Sequence, residues 1–304
     1  TPPRIALIER AIDSSGIDGW DGAFWRDQAR EWHSYFRRKN LAAGFGNLDS
    51  LTRSLGDIQL YHQGRRIQGM RMGNLGDAYV INGWESMLYD NHSGVVDNYR
   101  NCKGNVNTIA RFTRPLYVAV SPRTQFVRLP GTVEVDFHIV NEADLNGRFT
   151  LVVESTAPGG EKRRLLSRDV EVAGGDTFGQ LLAEAEPIEL KGGDGLYTIS
   201  ARLTDASGRT VADGYEEVLG LVPDEAALPG TSEIAPESVV DRAVSDGTTL
   251  LLLKSPESWM QFLNPAAGIG YESNFTVGTD WVGGVHFVTD HPVLSGLPVN
   301  TAMN

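Results

Sequence analysis

The chain has 304 residues, a formal charge of −12 and ordinary globular proportions, 41% apolar and 22% charged. That length predicts two or three domains, and the acidic balance excludes a general nucleic-acid or anionic-membrane binder, which needs a basic surface. A single cysteine, Cys102, excludes an internal disulfide framework and a cysteine-based zinc site, and no apolar run approaches the ~20 residues of a membrane helix.

Residues 1–113 read as helices around one strand. Ile5, Ile8 and Ile12 recur at helical spacing after a proline-rich start. Trp25, Ala29, Trp32 and Phe36 form a second stripe behind Asp21, the expected N-cap. Both tryptophans are expected in a core. A third helix is expected from about Ile58 to Met72, weakened by Gly64 and Gly69. Its Arg65, Arg66 and Arg71 form either a solvated face or partners for acids. Tyr79, Val80 and Ile81 make a short continuous apolar run, the pattern of a strand buried on both faces. A helix followed by such a strand is the rhythm of a parallel α/β fold.

From Pro115 to Val222 the runs become strand-like. Val133, Val135, Phe137 and Ile139 alternate with Glu134, Asp136 and His138, so one face is buried and the other wet. His138 is expected at the surface. Turn signals such as Asn146-Gly147 and Ser207-Gly208 separate roughly seven strands, which predicts an immunoglobulin-like antiparallel sandwich. Residues 223–235 read as an acidic linker. Beyond them, the run Leu250–Leu253 after a helical pattern predicts a further α/β domain.

Several common chemistries leave no trace. There is no glycine-rich phosphate loop, no His-Glu-x-x-His helix and no Gly-x-Ser-x-Gly elbow. The six histidines, His33, His62, His92, His138, His286 and His291, lack metal-ligand spacing. No cofactor or metal is called for. The stretch with the densest chemistry is "YVINGWESMLYDNHSGVVDNYRN". Trp84 and Glu85 lie just past the apolar run, and Asp90, Asn91 and His92 follow. An indole face stacks on the apolar face of a sugar ring, while carboxylates and amides hydrogen-bond its hydroxyls. The structural alternative has Trp84 plugging a barrel end and Glu85 tying down a loop.

The same stretch, "INGWESMLYDNHSGVVDNYRNCKG", resembles the end of the catalytic barrel in glycoside hydrolase family 2, the β-galactosidase and β-glucuronidase group. The resemblance rests on an aromatic-acid pair after the last barrel strand, a loop, then a tail of Gly94, Asp97 and Arg100 ending in the basic Lys103. The sequence from Ala110 to Gly147 is similar to the sandwich that follows such barrels. "HFVTDHPVLSGLPVN" resembles the glutamine-amidotransferase-like domain appended to some members.

What the resemblance implies is a multidomain α/β plus all-β fold. Residues 1–113 would be the C-terminal part of a (β/α)8 barrel, 114–223 an immunoglobulin-like sandwich and 224–304 a truncated α/β domain of flavodoxin or amidotransferase type. It implies a retaining cleavage of terminal β-glycosidic bonds by two glutamates about 5 Å apart, with water and no redox cofactor. On this mapping both glutamates precede Thr1, the chain is a fragment inactive alone, and Glu85 is a lesser catalytic candidate. Trp84 matches the aromatic floor of the sugar site, with Glu85, Asp90, Asn91 and His92 as further substrate contacts. The expected partner is an oligosaccharide or glycoside, with no nucleic acid or membrane and a possible homo-oligomer. No signal peptide is visible, so the compartment stays open.

Two other readings stand beside this one. The chain is a non-catalytic carbohydrate-binding or scaffold module whose sandwich presents the binding face. Alternatively the terminal segment has amidotransferase chemistry, which needs a nucleophilic cysteine that Cys102, in another region, does not supply.

Overall fold

The computed structural model describes residues 3–16, 18–74, 76, 78–81, 84–85, 94–222, 286–287 and 302–303. They belong to one compact unit formed by Thr1–Pro223 and Gly283–Asn304. The expected helix and Leu250–Leu253 strand of the C-terminal segment lie outside the described residues.

Five helices come first: α1 (Ile5–Ser15), α2 (Trp20–Arg38), α3 (Ala42–Phe45), α4 (Leu48–Met72) and α5 (Val106–Ala110). Helix α1 forms because Ile5, Ile8 and Ile12 share a face, and all three are buried with Trp25, Ala29 and Phe36 of α2 and Leu48, Leu51 and Leu55 of α4. It ends at Gly16, whose φ of 61° suits a residue without a Cβ. The N-cap of α2 is Gly19, and Asp21 stands in the first turn. Asp21 thus favours the helix through the N-terminal dipole rather than as the expected cap.

Helix α4 begins ten residues earlier than the sequence pattern led us to expect. Asn47 caps it through a hydrogen bond from the Ser50 N–H to Oδ1, at 2.8 Å. The glycines of α4 then make sense by contact. A Cβ at Gly64 would run into the Phe112 ring, and one at Gly56 into the carbonyl of Lys103.

The segment Tyr79–Ile81 is not a strand. Val80 is 89% exposed. Tyr79 and Ile81 are half-buried against Leu60, Ile67, Val95 and Ile109. No neighbouring strand among the described residues offers the ladder that a doubly buried strand requires, so the apolar run is accommodated by packing on α4. Within residues 3–113 the described pairing amounts to two isolated bridges, Glu85 with Val96 and Val96 with Cys102.

Eight strands follow: β1 (Leu116–Pro122), β2 (Phe126–Arg128), β3 (Gly131–Asn141), β4 (Gly147–Thr156), β5 (Lys162–Val172), β6 (Gly179–Leu190), β7 (Gly195–Thr204) and β8 (Thr210–Leu221). They form one sheet ordered β1-β3-β6 and another ordered β2-β8-β7-β4-β5. Neighbours run antiparallel except β2 and β8, which are parallel. The inner faces share one core, in which Val133, Val135, Phe137 and Ile139 of β3 meet Leu151, Val153, Ile199 and Val218. The outer face of β1 and β3 is also covered, because Tyr117, Ala119 and Val140 pack with Met72 at the end of α4. Two further short strands, β9 (His286–Phe287) and β10 (Ala302–Met303), pair antiparallel. No helix of the described residues is long and apolar enough to cross a membrane.

Candidate functional site

The backbone around Trp84 is fixed from residue 94 onward. The N–H groups of Val95 and Val96 both donate to the carbonyl of Trp84, at 2.9 and 3.3 Å. Val95 and Val96 are themselves buried, so apolar burial anchors the two donors. Gln59 of α4 donates to the Gly94 carbonyl at 3.0 Å, and the Lys103 N–H returns to Val95 at 3.1 Å.

Asp97 organises the turn that follows. Its Oδ1 accepts the N–H groups of Tyr99 and Asn101, each at 2.9 Å, and the Asn101 amide reaches Oδ2 at 3.0 Å. Asp97 and Lys103 are both fully buried. Burial pushes the Asp97 carboxyl above its usual range. The Asn101 and Tyr99 hydrogen bonds and the Lys103 charge pull the other way. The tail that carries the family resemblance is therefore a structural turn, packed so closely on α4 that Gly104 leaves no room for a Cβ beside Asp57.

On this support Trp84 is 64% exposed. The backbone of Trp84 is thereby pinned, and its indole projects from that backbone with an apolar face open to a ligand. Glu85 behaves differently. Its backbone bridges to Val96 and its carboxylate pairs with Arg100. This exposed pair joins Glu85 to the turn at Arg100. Asp90, Asn91 and His92 lie outside the described residues. Cys102 is an exposed free thiol. Among the described residues no cluster of His, Cys, Asp or Glu is arranged to hold a metal ion.

His138 differs from its expected surface position. It is half-buried on β3, and its Nδ1 has no hydrogen-bond partner among the described residues. Burial lowers its pKa from the usual 6.5, against the nearby Asp136 charge. The sandwich aromatics divide: Tyr117, Phe137 and Tyr197 are buried, whereas Phe126, Phe178 and Tyr215 are exposed. Glu142 has a role that the sequence did not signal. It receives Arg71 of α4 across 71 positions of chain, a separation that no local pattern reveals.

No protein-family model and no curated protein matches the chain. Among solved structures it is similar to the β-D-mannosidase from Dictyoglomus thermophilum, at 16% identity and a TM-score of 0.41 over 59% of this chain and 21% of that one. It is similar to the β-glucuronidase from Bacteroides uniformis at 13% identity and a TM-score of 0.24, over 34% of this chain and 13% of that one. A glycosyl hydrolase family 2 member from Bacteroides cellulosilyticus is matched at 13% identity and a TM-score of 0.26, over 35% of this chain and 16% of that one. An alkylpurine DNA glycosylase from Pseudomonas fluorescens scores 0.26 at 10% identity, over 38% of each chain. Glycoside hydrolases thus recur among the solved structures that the chain resembles, and overlaps this partial assign it to no family.

Proposed function

We propose that the chain is part of a retaining glycoside hydrolase acting on terminal β-glycosidic bonds of the β-galactosidase type, and that Trp84 forms the aromatic floor of its sugar site. In this reading residues 1–113 belong to the C-terminal part of the barrel region, though Tyr79–Ile81 does not supply its last strand, 114–223 form an immunoglobulin-like sandwich and 224–304 belong to an appended α/β domain. The observation that carries it is the exposed indole of Trp84 on a backbone clamped by Val95 and Val96. A sugar ring offers such an indole an apolar face, and polar neighbours orient its hydroxyls. Glu85, Asp90, Asn91 and His92 are proposed as those neighbours, with Glu85 acting chiefly through Arg100. The paired acid/base and nucleophile glutamates are not assigned to any residue of this chain.

The test uses the full chain and p-nitrophenyl β-D-galactopyranoside. Saturable binding without turnover is expected, weakened roughly tenfold, or ~1.4 kcal/mol, by Trp84→Ala. Turnover comparable to an intact glycosidase would refute the assignment of the catalytic carboxylates elsewhere. Binding unaffected by Trp84→Ala, and retained by a sandwich with Phe126 and Tyr215 intact but lost without them, would favour the non-catalytic sugar-binding module.

A further inference from the structure

A cavity of about 580 Å³ opens beside the C-terminal turn of α4, where Gly69, Met70 and Arg71 face Ala78, Tyr79 and Glu142. Its size falls within the range of small-ligand sites. Gly69 gives the cavity its interest. A glycine inside a helix is expected to stand where a neighbour approaches closely, as at Gly56 and Gly64 of the same helix. At Gly69 a Cβ would meet nothing within 4 Å among the described residues, and the residue sits in ordinary helical backbone. Nothing among the described residues accounts for a residue that weakens the helix.

The chemistry around this space is specific. Arg71 is buried, and its donors are occupied by Glu142 at 2.7 Å and by the carbonyls of Phe112 and Arg114 at 2.7 and 2.8 Å. The contacts with Glu142 fall on Oε1. Oε2 takes no hydrogen bond from the described residues, so it remains an acceptor, and the net charge of the pair is zero. Met70, half exposed, and the Tyr79 ring supply apolar surface. An anion would meet a guanidinium already engaged by a carboxylate and two carbonyls, and a hydrocarbon would leave a carboxylate oxygen uncompensated.

We infer that the cavity formed by Gly69, Met70, Ala78, Tyr79 and Glu142 is a binding site for a neutral hydroxylated ligand of mono- or disaccharide size, separate from the Trp84 platform. A ligand hydroxyl donates to Oε2 of Glu142, its apolar face lies on Met70 and Tyr79, and its closest approach to the helix is over Gly69.

The experiment follows the Met70 ε-methyl resonance of the full chain labelled in its methionine methyl groups, assigned by its loss in Met70→Leu. Lactose, cellobiose and, as a charged control, glucuronate are titrated in turn. A saturable shift with lactose or cellobiose is expected, weakened roughly fivefold by Gly69→Ala, abolished by Ala78→Trp at an exposed position and unchanged by Trp84→Ala. Gly69→Ala is also expected to raise Tm by roughly 1–4 °C, so lost binding there cannot come from unfolding. Absence of a saturable shift with both disaccharides overturns the inference, as does tighter binding of glucuronate. A shift that disappears in Trp84→Ala also overturns it, placing the ligand on Trp84 and leaving the glycosidase reading in place.

Discussion

Gly64 and Gly69 stand five positions apart in α4 and answer to different neighbours. Because a methyl group at Gly64 would enter the Phe112 ring, Gly64→Ala should cost about 1–3 kcal/mol, the usual penalty of overpacking. Gly69→Ala should instead stabilise the chain by about 0.5–1 kcal/mol, because it adds helix propensity without a clash. Urea denaturation of the two variants checks both signs, and equal shifts in one direction would contradict the packing described here. His138 sets a second test. Its neutral form is favoured in the folded state, since burial lowers its pKa below 6.5. Its contribution to stability is therefore present above pH 6.5 and is lost as the pH falls below that value. His138→Gln should flatten the fall of the denaturation midpoint between about pH 6.5 and 5. A slope identical to the parent's would mean that other groups, with His62 foremost, carry the acid sensitivity. Burial and the Arg66 and Arg65 charges lower His62 in the same direction.

At the level of elements, the cap of α4 is directly testable. Removing the Asn47 side chain in Asn47→Ala should cost ~1 kcal/mol, read from the thermal midpoint. This cap also explains one failure of the sequence reading. Leu48, Leu51 and Leu55 continue the buried stripe of α4, but Gly56 in the middle of the pattern reads as a break when its partner, the Lys103 carbonyl, is unknown. The strands divide by position in their sheets. Central β3, with strict alternation, was legible from its residues alone. Edge strands β5 and β6 were not. In β5 Lys162, Arg163 and Arg164 are all exposed, the charge decoration that protects an edge from foreign pairing and erases its alternation. In β6 the run Ala183-Glu184-Ala185-Glu186 has helical composition, and a register irregularity against β3 interrupts its period. The Tyr79–Ile81 run failed for the opposite reason, because apolar composition alone does not separate a strand from a loop lying on a helix. Of the candidate site, residue type alone singled out Trp84, whose side chain is exposed. The clamp that orders it depends on carbonyl partners that no sequence pattern encodes.

For the molecule as a whole, the contact that matters most is between helices and sheets. Glu216 of β8, 1% exposed, receives Arg65 of α4 at 3.1 Å and Arg111, just after α5, at 3.2 Å. The Arg111 guanidinium also lies over the rings of Phe112 and Tyr215, at 4.3 and 4.4 Å from their centroids. Burial and the Glu216 charge push the neighbouring Tyr61 phenol up to about 12. Breaking a buried ionic cluster from the acidic side strands its cations, so Glu216→Ala should cost about 3–5 kcal/mol. Arg65→Ala should cost less, because Arg111 still neutralises the acid. Chemical denaturation of the two variants ranks them, and a larger loss in Arg65→Ala would show that the cluster is not organised around the carboxylate.

Arg71 carries a consequence for mechanics. By holding the carbonyls of Phe112 and Arg114 together with the Glu142 carboxylate, it fastens the peptide that leads from the last helix into the first strand at both ends of a three-residue step. A load applied to the sheets would reach the helices through this guanidinium as well as through Glu216, rather than be absorbed by a swivelling joint.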